Sequence, residues 1–281
     1  MPLAELTPTD TRMLFRPVSA ELVTLLRALR PADWERPTVA GTWVVRDIVA
    51  HLVDVAGRRL SFHRDGMTPP PPPFPITSDR DFVDFINWLN AQWISSAKRF
   101  SPRLLTDLFE RASRELAEWF EELPLEAAAL FGVSWAGEQS SEGWFDVGRE
   151  FTELWHHQQQ IRMAVGAPSL DDPRYLRAVL QISMRVLPHT FRDVQANPGE
   201  TVHVDVTGGA GGQWTLRRDA QRWRLSGGVP LAATTRIRLT DDVAWRLLYN
   251  ALSEAEAAEA VQVEGRRDLA RLLLRARSVI V

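Results

Sequence analysis

Up to about residue 195 the apolar positions of this chain recur at helical spacing, and beyond that point they alternate. Within residues 10–29, MLFRPVSAELVTLLRAL repeats apolar side chains every three to four positions, and Pro17 marks a kink or a late helix start. A second helix is expected after Thr42, a residue type suited to an N-cap, over VVRDIVAHLVDVAGRRLSF. TPPPPPFP (68–75) cannot be helical and reads as a stiff, extended connector. The next helix opens at Ser78 and places Phe82, Phe85, Ile86, Leu89 and Trp93 on one side. Ser101-Pro102 then reads as N-cap and first residue of a helix carrying Leu105, Leu108, Phe109, Leu116 and Phe120. After a looser stretch comes FDVGREFTELWHHQQQIRMAVG, stopped by Gly166 and Pro168, and Asp172-Pro173 starts DPRYLRAVLQISMRVLPHTFRDV.

Past Asn197-Pro198-Gly199 the period changes. TVHVDVT, QWTLRR, QRWRL and TTRIRL read as short strands, with GGAGG as a hairpin between the first two. DDVAWRLLYNAL is expected to be a helix, VQVEG a strand, and RRDLARLLLRARSVIV a closing amphipathic helix. The fold class expected is therefore α+β: a helical bundle with long connections over residues 1–197, then a small α+β domain over 198–281.

With 281 residues, the chain has room for two domains. A net charge of −3 gives no reason to expect nucleic acid or an anionic membrane as partner. No apolar run reaches the roughly 20 residues that span a bilayer. The start, MPLAELTPTD, lacks the pattern of a signal peptide, so a cytoplasmic location is expected. There is no cysteine. Any thiol chemistry must therefore use a thiol brought by a small molecule.

Glu153 and His157 are four apart in a strong helical segment and so project from neighbouring turns of one face, the convergence a divalent metal needs. Alone, the pair is a weak signal, since chance supplies nearly one such spacing in this composition. His51 lies beside Ile48, Leu52 and Val55 on the apolar stripe of its helix, where a hydrogen-bonded core histidine is the plainer alternative. His156 projects about 100° from His157 and is not expected to share an ion. His63 is expected to face solvent, and His189 and His203 have no partner motif. Of the many arginines, Arg222, Arg224, Arg236, Arg238 and Arg246 fall in the second domain, where solvated strand faces account for them.

TWVVRDIVAHLVD resembles a segment found early in the DinB-like superfamily, in its branch of mycothiol-dependent maleylpyruvate isomerases. The match runs through Trp43, Val45, Asp47, His51 and Leu52. ELWHHQQQIRMAVG resembles a later segment of the same branch through Glu153, Trp155, His157, Ile161, Ala164 and Gly166. VTGGAGGQWTLRR, TRIRLTDDVAWRLL and VQVEGRRDLARLLL resemble the branch's appended domain, related to sterol-carrier-like folds. The resemblance implies a four-helix bundle in which His51, Glu153 and His157 hold a divalent ion, zinc above all. It further implies an external low-molecular-weight thiol such as mycothiol and an electrophilic small-molecule substrate. S-transfer or cis–trans isomerisation would follow. Two departures stand out: Gln160 replaces the family's Asp, and Arg266 follows Gly265 where the family often has Asp. The alternatives are a non-catalytic metal-binding module with a ligand- or partner-binding second domain, and an iron oxygenase using the same ligand set.

Overall fold

A computed structural model describes residues 3–279. The helices are α1 (Phe15–Ala28), α2 (Val45–Arg58), α3 (Asp79–Ala97), α4 (Pro102–Glu122), α5 (Gly143–Val165), α6 (Pro173–Ser183), α7 (Leu187–Thr190), α8 (Asp241–Leu248), α9 (Glu254–Ala260) and α10 (Arg267–Leu273). The strands are β1 (Thr201–Thr207), β2 (Gly212–Arg218), β3 (Trp223–Gly227), β4 (Thr235–Thr240) and β5 (Gln262–Gly265). A helical N-terminal part followed by a mixed sheet with helices is the α+β class expected.

The chain forms two compact units. One holds residues 11–124 and 153–170; the other holds 3–10, 125–152 and 171–279. In the first, α4 packs along α1 and α2, and α3 packs on α2. The apolar stripes meet there in Phe15, Leu22, Ile48, Leu105, Phe109 and Phe120, each at most 2% exposed. Several helix starts lie where local chemistry puts them. Ser78, Ser101 and Asp172 each accept a backbone N–H of the first turn, and Pro102 and Pro173 take the position that needs no donor. The N-cap of α2 is Val44 instead of Thr42. The Asp47 carboxylate reaches back to accept the Val44 N–H at 3.2 Å, so the cap is supplied from inside the helix. Beyond Arg58 the chain continues as a wider helical turn, Arg59–Arg64.

In the second unit the strand order is β3-β2-β1-β4-β5, with β1 antiparallel to β2 and parallel to β4. Val204 lies opposite Trp214 and Ile237, and all three are buried. GGAGG is the β1–β2 hairpin, as expected. α8 packs on β1 and β4, and α10 on β4 and β5. Gly265 has φ +90°, and a Cβ there would lie 2.2 Å from the Thr234 carbonyl oxygen, so only glycine fits.

Three expected helices are shorter. The segment from Pro173 is broken by a tight turn at Met184–Val186 before α7. α8 ends at Leu248, where Asn250 takes a left-handed φ of 55°, and a further helix, α9, follows with Ser253 and Glu256 capping each other. The closing helix stops at Leu273 instead of running to the C-terminus.

Candidate metal centre

The first unit brings His51, Glu153 and His157 together. Val45, Ile48, Val49, Leu52, Val53 and Ala56 form the buried stripe of α2, and His51 sits within it at 5% exposure. α5 is buried around most of its circumference between Leu154 and Arg162, so its polar residues must find partners within the protein. Gln159 does so by donating to Ser169 Oγ at 2.9 Å and accepting the Leu170 N–H at 2.9 Å.

His51 Nε2 lies 3.2 Å from Glu153 Oε1, and His157 Nε2 lies 3.3 Å from the same oxygen. One ligand atom from each of the three residues lies within 4.8 Å of the others. The rings of His51 and His157 meet edge to face, centroids 4.8 Å apart. The half-buried Trp43 indole covers both, at 5.0 Å from His51 and 6.1 Å from His157. His157 Nδ1 contacts Gln160 Oε1 at 2.7 Å.

The electrostatics favour the protonation states that ligate a cation. Burial pushes the His51 imidazole down from its ordinary value, against the raising effect of Glu153, so it is neutral near neutral pH. Burial pushes the Glu153 carboxyl up, but the imidazoles of His157 and His51 outweigh it and hold the group well below the usual carboxylate range. A neutral His51 imidazole therefore faces the Glu153 carboxylate anion. On the same face of α2, burial raises the Asp54 carboxyl, and Arg58, 3.0 Å away, opposes the rise.

The donor set fits a divalent ion. Ligand atoms about 2.0 Å from a tetrahedral ion stand about 3.3 Å from one another, close to the two nitrogen–oxygen separations observed. His51 Nδ1 is buried without a hydrogen-bond partner among the described residues, so this imidazole is not held in place as an ordinary core histidine bonded at both nitrogens.

Of the other histidines, His63 departs from expectation. His156 is 1% exposed, its ring 4.0 Å from that of His157, and its Nδ1 approaches Glu153 Oε2 at 4.0 Å. His63 is half-buried: Arg59 Nη1 donates to its Nδ1 at 2.6 Å, and Trp119 lies edge-on at 6.4 Å. His203 is a core residue beside Thr215. Arg224, Arg238 and Arg246 pair with Asp219, Asp205 and Asp242 within the second unit.

Residues 15–162 match the model of the mycothiol maleylpyruvate isomerase N-terminal domain. The chain belongs to that family. The match covers more than half of the chain and contains His51, Glu153 and His157. Two solved structures agree in fold over nearly the full length: an alanine mutant of the mycothiol-dependent maleylpyruvate isomerase (TM-score 0.53) and the mycothiol-dependent maleylpyruvate isomerase itself (TM-score 0.52). Each is 12% identical, with 90% of this chain and 91% of the other aligned. No curated protein gives a significant match. No described helix is long and apolar enough to cross a membrane.

Trp43 is a matching position of the family motif whose spacing carries no signal that it lies over the imidazoles, whereas Gln160, one turn beyond His157 on the same helix, stands behind its imidazole as that spacing implies.

Proposed function

We propose that His51, Glu153 and His157 hold one divalent ion, zinc by preference, and that the protein uses it with an external low-molecular-weight thiol. The reaction would be S-transfer or cis–trans isomerisation of an electrophilic small molecule, with mycothiol as the thiol suggested by the family. The observation that carries this reading is the convergence of two imidazoles on one carboxylate oxygen at ligand-to-ligand spacing. When bound, the ion supplies Lewis acidity that lowers the pKa of a thiol entering its open position. His51 and His157 supply neutral nitrogens, and Glu153 supplies one negative charge, which leaves about +1 on the centre and favours an anionic thiolate. Trp43 shields the imidazoles from water on one side. The absence of cysteine agrees with a nucleophile that comes from outside the chain.

Cobalt(II) in place of the native ion tests the thiol step. Mycothiol should add an intense near-ultraviolet charge-transfer band that grows with pH. If cobalt binds but mycothiol and other thiols leave the spectrum unchanged at millimolar concentration, the non-catalytic metal-binding module replaces this reading.

We further propose that residues 1–197, with the site helices arranged as a four-helix bundle, form the metal-binding domain, and that 198–281 form a second. All three ligands precede the cut. The cut severs the Ser183 Oγ–Tyr249 Oη bond of 2.6 Å and the packing of Phe191 on Trp223. The fragment 1–197 is therefore expected to bind the ion yet melt below the full chain. An aggregate, or a soluble fragment that takes up no ion, would overturn the division.

A further inference from the structure

We infer that Gln160 is a positioning residue that fixes which nitrogen of His157 carries the proton, and so presents the other nitrogen to a cation. The inference rests on reading the triad as a metal site, and it reaches to a residue outside that triad. Gln160 stands three positions after His157 on α5, hence on the same face. Both side chains are buried, at 4% and 5% exposure, and the contact of Gln160 Oε1 with His157 Nδ1 is 2.7 Å. An amide oxygen can only accept, so Nδ1 must be the nitrogen that bears hydrogen. A neutral imidazole protonated there keeps a bare lone pair on Nε2. In that neutral form the lone pair faces Glu153 Oε1 at 3.3 Å, acceptor against acceptor, a pairing satisfied by a cation between them, either a metal ion or the second ring proton that lets His157 donate to Glu153.

His51 is arranged the other way. Its Nδ1 is buried without a hydrogen-bond partner among the described residues, and its Nε2 lies 3.2 Å from the same carboxylate oxygen. In the metal-free chain the satisfied state of His51 is therefore Nε2–H donating to Glu153. The two imidazoles are not equivalent: His157 is held ready by Gln160, whereas His51 must move its Nε2 proton before it can ligate. An amide also orients His157 without the negative charge a carboxylate would add. Nε2 is then less basic, and the centre keeps more of its positive charge for an anionic ligand.

The test reads the tautomers directly, by long-range proton–nitrogen correlation spectra of the metal-free full chain labelled with 15N-histidine. Expected in the wild type are Nδ1–H with bare Nε2 for His157, and the reverse for His51. Gln160→Leu should release His157 toward the Nε2–H form, and Gln160→Asp should restore Nδ1–H. Should Gln160→Leu fail to fold, Gln160→Asn keeps the amide but shortens its reach, and should shift the tautomer in the same direction. Cobalt(II) titration of the same variants should show affinity about 10-fold or more weaker for the leucine variant and stronger for the aspartate variant. The inference is overturned by a wild-type His157 with Nε2–H and a bare Nδ1, which would mean the amide nitrogen faces Nδ1. It is equally overturned by a folded leucine variant whose tautomer and cobalt affinity match the wild type. The failure of the metal-site reading looks different: cobalt does not bind the wild type, while the tautomers are still read without any ion.

Discussion

His157→Ala is expected to abolish metal retention, taking the content from about one divalent ion per chain to a small fraction of that. Changes to residues that merely orient a metal ligand weaken affinity by about 10- to 100-fold. Loss of one of only three protein ligands should exceed that range. His156 does not belong to the converging group, its Nδ1 standing 4.0 Å from the other oxygen of Glu153. Elemental analysis of protein purified without added metal and never exposed to chelator gives the answer, with circular dichroism as the check that the variant has folded. A wild type that is repeatedly metal-free, or an alanine variant with the full complement, would defeat the assignment of His51, Glu153 and His157 as ligands.

Trp155→Ala should cost about 3–5 kcal/mol of stability, the range for deleting a large aromatic side chain from a packed core. Trp155 is fully buried, at 0% exposure, between Glu153 and His157 in the sequence of α5 but on another face of the helix. In the motif that carries the family resemblance, its role is thus packing, whereas its neighbours supply the chemistry. A shift of the urea midpoint at unchanged slope would measure the loss. A change under about 1 kcal/mol would show that the indole is not a core element. Because the same helix carries two of the proposed ligands, the variant should also bind cobalt more weakly.

Much of the first unit was legible in the sequence because helix ends are set by local chemistry. Ser78, Ser101-Pro102, Asp172-Pro173 and Gly166 each satisfy or terminate the backbone bonding within one turn, and each stands where it was expected. The alternation that marks β1 was legible as well, with Val202, Val204 and Val206 on one face, although Thr201 and His203 on the other face are buried too. Where several local solutions compete, the sequence misled. Thr42 looked like the cap of α2, but Asp47 supplies the bond from inside the helix. An apolar run suited to a long closing helix ends at Leu273, and Glu254–Ala260 forms a helix whose polar surface gives no periodic signal.

The candidate site divides along the same line. The i, i+4 spacing of Glu153 and His157 follows from helical geometry, and the apolar stripe places His51 inward, so each ligand's local direction is a property of the sequence. Their meeting is not: His51 and Glu153 are 102 positions apart, and only the packed helices bring their side chains to 3.2 Å. The same holds for Trp43 over both imidazoles, whereas Gln160 reaches His157 through its i, i+3 spacing on one helix. Periodicity specifies which face of a helix is buried, whereas the neighbour found at that face is fixed by how helices distant in sequence pack together.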